Sequence, residues 1–236
     1  MTQITRILSV ANLGTVEYQA ALALQTAMVA ARQSDAISDT LLILEHPHVF
    51  TLGRGADERF LLAQRPGEVP IYRVSRGGEV TYHGPGQLVG YPIIKLEGRD
   101  RDVHRYLRNL EEAMLRALAD FDIQGMRREG LTGIWVGAKK IGSIGVGIKR
   151  WTTCHGFALN VCPDLSYFRG IVPCGIDGCE MTSIEAHRDR ISIDEFATAM
   201  RSRFAEVFDY AENGTVDPAT LWQLVESNVA EERRDA

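Results

Sequence analysis

Apolar residues recur along this chain at two spacings, and the elements they mark alternate between strand and helix. Ile4–Val10 reads as a first strand. Thr15 caps a predicted helix over 16–32, in which Tyr18, Leu22, Gln25 and Val29 recur near helical spacing. Leu41-Leu42-Ile43-Leu44 is an apolar run of the kind found in a buried strand, and Val49–Leu52 resumes after Glu45-His46-Pro47. His46 and His48, on either side of a proline, read as turn side chains rather than ligands. Asp57–Ala63 predicts a short helix. Val69–Ser75 and Leu88–Ile94 predict strands, with Pro92 placing the second at an edge or a bulge. Val103, Leu107, Leu110, Met114, Leu118 and Phe121 line one face of the clearest helix, with Asp102 or Asp100 as its N-cap. Gly133–Val136 and Ile141–Ile148 flank Gly137-Ala138-Lys139-Lys140 as a hairpin, and Thr153–Val161 alternates as a strand. Ser192 and Glu195 form a capping box before Phe196, Met200, Phe204 and Val207, and Asp217-Pro218 opens a last helix. No repeat, low-complexity tract or linker interrupts the pattern. The expectation is a single α/β (α+β) domain over residues 1–236, with a mixed sheet flanked by helices.

Composition narrows the function classes. Hydrophobic content of 45% and charged content of 24% are ordinary for a globular protein. Lys+Arg 26 against Asp+Glu 31 gives net charge −5, which offers no electrostatic case for nucleic acid. No apolar run approaches the roughly 20 residues of a membrane span, and the first residues lack the pattern of a signal or transit peptide. A cytoplasmic protein that binds neither nucleic acid nor membrane is expected.

The chemistry concentrates in two stretches. Arg76-Gly-Gly-Glu-Val-Thr-Tyr-His-Gly-Pro-Gly-Gln87 is rich in glycine, which permits positive φ and close approach of backbone to a ligand. Its plainer reading is a tight turn with polar side chains in water. The second stretch runs from Lys140 to Cys174. Among Cys154, Cys162, Cys174 and Cys179 there is no C-x-x-C pair, and most such thiols are small buried hydrophobes. Cys174 differs because Pro173 and Gly175 place it in a turn that presents a thiol to a cleft. Motifs for a P-loop, a dinucleotide fold, a zinc protease and a serine hydrolase are absent. A thiol and an amine remain.

With these residues in view, the chain resembles the lipoate-biosynthesis octanoyltransferases. The resemblance rests on His46-Pro47, Thr51-Leu52-Gly53, Arg76-Gly77-Gly78 through Thr81, His83 and Pro85-Gly86-Gln87, then Lys140-Ile141, Ser143 and Gly145, His155-Gly156, Ala158-Leu159-Asn160 and Pro173-Cys174-Gly175. It covers about residues 40 to 185 and leaves the C-terminal helices unmatched. It implies the fold of the biotin and lipoate protein ligases and no cofactor or metal. It implies transfer of octanoyl from octanoyl-acyl carrier protein to a lysine of lipoyl domains, those of 2-oxoacid dehydrogenases and of the glycine cleavage H protein, by a monomer. It makes Cys174 the nucleophile and Lys140 the residue that sets its reactivity. Arg76, Gly77, Gly78, Glu79, Val80, Thr81, Tyr82 and His83, with Ser143, Ile144, Gly145, Gly156, Phe157 and Ala158, line the implied acyl pocket.

The residues agree with this chemistry on their own terms. The thiolate is the attacking form of cysteine, and a nearby cation favours it. Lys140 supplies that cation or, as a neutral amine, takes the thiol proton. His83 either orients the thioester carbonyl or braces the loop. His155 reads as a strand residue with a structural role. Gly142, Gly145, Gly147, Gly156 and Ala158 are small either to leave a tunnel for a saturated chain or to let strands pack closely. Two other readings stay open. One is an ATP-dependent lipoate or biotin ligase on the same fold. The other is a metal protein using Cys154, His155, Cys162, Cys174 and Cys179.

Overall fold

Leu41-Leu42-Ile43-Leu44 has no polar position because both faces of its strand are covered. Leu41 and Ile43 pack into one apolar cluster, and Leu42 and Leu44 into another on the opposite face. A computed structural model of the chain describes residues 6–189 and 191–232. Its elements are β1 (Ile7–Thr15), α1 (Tyr18–Gln33), β2 (Thr40–Glu45), β3 (Val49–Leu52), β4 (Ile71–Arg73), β5 (Val80–His83), β6 (Gln87–Ile93) and α2 (Val103–Ala119). Then follow β7 (Ile134–Val136), β8 (Lys139–Lys149), β9 (Thr152–Asn160), α3 (Ile193–Val207), β10 (Ala211–Thr215) and α4 (Pro218–Glu232). A seven-stranded mixed sheet runs β10-β1-β2-β6-β9-β8-β7, and a three-stranded sheet runs β4-β3-β5. The clusters place α2 and α3 on one face of the large sheet and α1 and α4 on the other. Among the described residues no helix is long and apolar enough to cross a membrane.

Capping follows side-chain chemistry. Asp102 accepts from Arg105 N–H at 3.0 Å, Ser192 from Glu195 N–H at 3.2 Å, and Asp217 from Ala219 N–H at 3.0 Å. Several boundaries differ from expectation. The first strand is Ile7–Thr15, so Thr15 ends a strand instead of capping α1; residues 4 and 5 of the predicted strand lie outside the described residues. The helix expected over 57–63 is a single 3-10 turn at Glu58–Phe60. On α2, Tyr106, Leu110, Ala113 and Met114 are buried while Val103 is exposed, a rotation of the expected stripe. The strand β10 carries no apolar run and is formed by parallel pairing with β1.

Pro92 occupies a central strand. The pairing of β6 with β9 stops at Gly90–Phe157 and resumes where Thr153 N–H reaches Ile94 O at 2.9 Å. In the gap His155 turns to φ +54 and gives its N–H to Gln25 Oε1 at 2.6 Å. The missing proline donor is thus accommodated by an interrupted ladder inside the sheet.

Close packing explains the small residues here. A Cβ at Gly156 would lie 2.2 Å from Gly90 O and 2.6 Å from Pro92 Cδ, and one at Gly90 would enter the Phe157 ring. Gly156→Ala is expected to destabilise the fold by about 1–3 kcal/mol, the usual cost of overpacking. Gly67→Ala meets nothing within 4 Å and should stay within about 0.5 kcal/mol of the parent. Equal urea midpoints for the two variants would refute the close-packing account.

Candidate active site

Cys174 sits in a single 3-10 turn, Pro173–Gly175, and adopts φ +57, ψ 18. A left-handed conformation is costly for any residue but glycine, of order 1–3 kcal/mol, and such strain gathers at functional positions. Backbone bonds hold the turn: Val172 N–H donates to Phe60 O at 2.9 Å and Gly175 N–H to Val172 O at 3.1 Å. Gly175 is also left-handed, and a side chain there would strike Phe60 and Glu79.

Lys140 comes from β8, one residue into the strand and not from the hairpin turn expected of it. Its backbone is tied to a neighbouring segment, N–H to Glu180 O at 2.8 Å and O from Thr182 N–H at 2.9 Å. Its side chain is 1% exposed. The Nζ lies 2.9 Å from Cys174 Sγ, 3.0 Å from Thr132 O and 4.9 Å from the centre of the Trp135 ring. Among the described residues no carboxylate forms an ion pair with it. Its neighbour Lys139 is exposed and paired with Glu180 at 2.9 Å, away from the thiol.

A cleft of about 190 Å³ opens beside this pair. One wall is the segment Gly78–Thr81 with Arg76; the other is Ser143–Gly145 of β8 and Gly156–Ala158 of β9. Gly130, Leu131 and Thr132 border the Lys140 end. From Lys140 to Gly145 the strand rises about 16 Å at ~3.3 Å per residue, and over Gly145 lies Arg76, whose Cδ would be 2.9 Å from an added Cβ.

Two residues expected in the pocket are not on its walls. Gly77 turns its N–H to Val146 O at 2.8 Å, pinning the loop to β8. Tyr82 points to the other face of β5, stacked on Tyr167 at 5.0 Å and bonded to His48 Nδ1 at 2.7 Å. The loop expected over 76–87 contains β5 itself, and strand alternation sends Thr81 and His83 to the cleft while Tyr82 goes to the small sheet's core. The glycines also do not open a tunnel: a Cβ at Gly142 meets Ile134, one at Gly145 meets Arg76 and Gly77 O, and one at Gly147 meets Cys154 Sγ. Their smallness serves packing.

Tyr18, Tyr91, Thr132, Ile176 and His155 line the cleft without having been singled out for it. His155, read as structural, lies at the far end with Tyr18, Tyr91 and His83. Arg76 there is 6% exposed and, among the described residues, forms no ion pair with a carboxylate; Nη2 donates to Thr51 O at 2.7 Å and to Thr51 Oγ1 at 2.8 Å, and burial pushes its pKa down.

The tautomer of His83 follows from a chain of donors. Asn160 Nδ2 donates to Thr182 O at 2.9 Å, so Asn160 Oδ1 accepts from Gln87 Nε2 at 2.9 Å. Gln87 Oε1 therefore accepts from His83 Nδ1 at 2.6 Å, which leaves the Nε2 lone pair unused. A neutral His83 accepts hydrogen bonds at Nε2 and does not donate there, so it does not polarise a carbonyl through that atom. Among the described residues no group of three or more His, Cys, Asp or Glu is placed to hold a metal ion, so the five Cys and His residues considered for that role are not brought together.

Comparison with known proteins identifies the family. The profile described as Lipoyl protein ligase A/B catalytic domain matches residues 17–205. An octanoyltransferase of Solibacter usitatus is 48% identical over 204 residues, covering 84% of this chain and 92% of that protein. The chain belongs to the octanoyltransferase family. Another member, from Gloeobacter violaceus, is 49% identical over 170 residues, covering 72% of this chain and 76% of its own. The fold is that of a lipoate-protein ligase A crystallised with ATP, at TM-score 0.71 and 17% identity over 95% of this chain and 94% of that one.

For this family member His83 and His155 at the far end of the cleft, with His46 packed behind His83, form an acid-sensitive element. Burial pushes the imidazoles of His46 and His155 down to about 4 and that of His83 to about 3. Unfolded histidine takes its proton near pH 6.5, so between about 6.5 and 4 the unfolded chain binds more protons than the folded one. Stability is full above that window and falls as pH drops, by up to ~1.4 kcal/mol per pH unit for each ring. Urea midpoints measured from pH 7 to 5 should decline, and His155→Asn should flatten the decline. An unchanged slope in that variant would mean the ring is not buried neutral.

Proposed function

We propose that this chain moves an octanoyl group from a carrier-protein thioester to the lysine of a lipoyl domain by way of an acyl thioester on Cys174. The observation that carries the reading is the 2.9 Å contact between Cys174 Sγ and Lys140 Nζ at the end of a mostly apolar cleft. In the first step the sulfur attacks the donor carbonyl, Lys140 receives the thiol proton, and the carrier thiol departs with a proton returned from Nζ. In the second step the acceptor amine attacks the Cys174 ester, gives its proton to Nζ, and displaces the cysteine sulfur. Exchange of one thioester for another is close to neutral in energy, and formation of the amide runs downhill, so no nucleotide is consumed.

Acyl carrier protein is the donor in this reading, and lipoyl domains of 2-oxoacid dehydrogenases and the glycine cleavage H protein are the acceptors. The acyl chain lies along β8 and β9 between Ser143 and Ala158, where burial of each methylene contributes about 0.8 kcal/mol. Arg76, Gly78 to Thr81, Gly145, Gly156 and Phe157 complete its walls, and Gly77 holds their loop.

Incubation with octanoyl carrier protein, without ATP, should add one hydroxylamine-labile octanoyl group on the Cys174 peptide. Cys174→Ala should abolish transfer. Lys140→Met and Lys140→Arg should both acylate slowly in single turnover, since arginine keeps the charge but takes no proton at working pH. Rapid acylation of Lys140→Arg would reject the proton-accepting role, and an active Cys174→Ala would reject the thioester.

Chain length supplies a separate check. Ala158 borders the cleft opposite Ser143. Ala158→Leu should favour hexanoyl over octanoyl donors, given about 1–3 kcal/mol of discrimination per methylene. An unaltered ratio of kcat/KM for the two donors would place the acyl chain elsewhere.

A further inference from the structure

The inner face of α2 carries one charge among apolar residues. Glu111 is 0% exposed, on the same face as Leu110, Ala113 and Met114. A carboxylate there stands only when its oxygens are satisfied. Glu111 Oε1 accepts from Gly133 N–H at 3.0 Å, and Oε2 accepts from Arg108 Nη1 at 2.5 Å and Arg127 Nε at 3.1 Å.

Gly133 is the residue through which this carboxylate meets the reacting pair. Its φ of +121 is a glycine conformation, and a Cβ there would lie 2.8 Å from Lys140 Cε and 3.1 Å from Nζ. The preceding carbonyl, Thr132 O, is the one that accepts from Lys140 Nζ at 3.0 Å. A hydrogen bond on the Gly133 N–H fixes the peptide that carries Thr132 O. That carbonyl, with the Trp135 ring, directs Nζ toward Cys174 Sγ.

We infer that Glu111 is a positioning residue for the Cys174–Lys140 pair, acting through the Thr132–Gly133 peptide. The inference rests on the reading that this pair reacts. It touches no substrate, and its two oxygens are divided between loop and arginines. Glutamine cannot divide itself that way: it has one acceptor oxygen, and its NH₂ would face either the Gly133 N–H or the two guanidinium groups.

The test is a double-mutant cycle read by iodoacetamide alkylation, with each cysteine quantified by peptide mass spectrometry. It uses the parent protein, Glu111→Gln, Lys140→Met and the double variant. Glu111→Gln should slow Cys174 alkylation about tenfold, a modest share of what a misplaced reacting group costs. In the Lys140→Met background the same change should matter less than about twofold, because coupled residues are not additive. The partly buried Cys154, which would react faster in an opened chain and should keep its rate, reports that the variants are folded, and the exposed Cys162 calibrates the reagent. Equal slowing in both backgrounds, or no slowing in Glu111→Gln, would overturn the inference. Alkylation needs no acyl donor, so its result is separate from the transfer reaction: coupled rates in a protein that transfers no octanoyl group would uphold the positioning role and sink the transfer reading.

Discussion

A lysine amine held in the interior, without a carboxylate partner among the described residues, is the constraint around which this fold is arranged. Removal of an ammonium or amine from water is unfavourable unless its hydrogen-bonding capacity is met. Lys140 meets it with a carbonyl, a thiol and an aromatic face. Each comes from a separate segment: Thr132 from the loop before β7, Cys174 from the turn after β9, and Trp135 from β7. The start of β8 is held between β7 and the Glu180–Thr182 segment, so the lysine backbone has little freedom to relieve a poor fit. The contact between nitrogen and sulfur is therefore a property of the large sheet's edge and not of two flexible side chains.

The order of the large sheet explains why an edge can be so rigid. Strands β2, β6 and β9 are covered on both faces, by α2 and α3 below and α1 and α4 above, and β2 and β6 carry the continuous apolar runs. Strand β8 continues from that core, with Gly142, Gly145 and Gly147 letting neighbours approach to van der Waals contact. The Arg76–Gly78 loop presses on Gly145 from outside. A cleft is left only where this loop and the strands diverge, beside Ser143 and Ala158.

Elements with strong local signals were legible in the sequence. The buried run at 41–44, the capped helices α2, α3 and α4, and the alternation of β9 each depend on neighbours close in the chain. Cys174 and Lys140 stood out because a thiol between proline and glycine and a lysine beside a glycine-rich strand are unusual combinations, and the fold sets them 2.9 Å apart. The misses have a common cause: they depend on partners far away in sequence. Nothing local in Ala211–Thr215 marks a strand; β1 makes it one. Nothing local told Tyr82 from Thr81 and His83, because the loop around them hid a short strand whose alternation decides which side faces the cleft. His155 looked like any strand residue, yet the gap opposite Pro92 turns it to positive φ and toward the cleft. Glu111 was not singled out in the sequence at all, because its partner Gly133 is fixed by tertiary structure.

The two ends of the cleft handle charge in opposite ways. At the Lys140 end, where the proposed reaction moves a proton, Nζ contacts Cys174 Sγ and Thr132 O directly. At the far end His83 and His155, with His46 packed behind His83, are kept neutral by burial, and their hydrogen bonds to Val16 O, Tyr91, Gln87 and Ser75 fix ring orientation without adding charge. Arg76 is the exception, and it is enclosed by oxygens of Thr51 and Gly77 instead of a carboxylate. An uncharged wall matters for an apolar ligand because a solvated ion in the cleft would have to lose water whenever the chain entered. Neutral imidazoles supply polar rigidity without that penalty. Protonation of any of them would reverse the arrangement, so the burial that depresses their proton affinity is also what keeps the far half of the cleft suited to hydrocarbon.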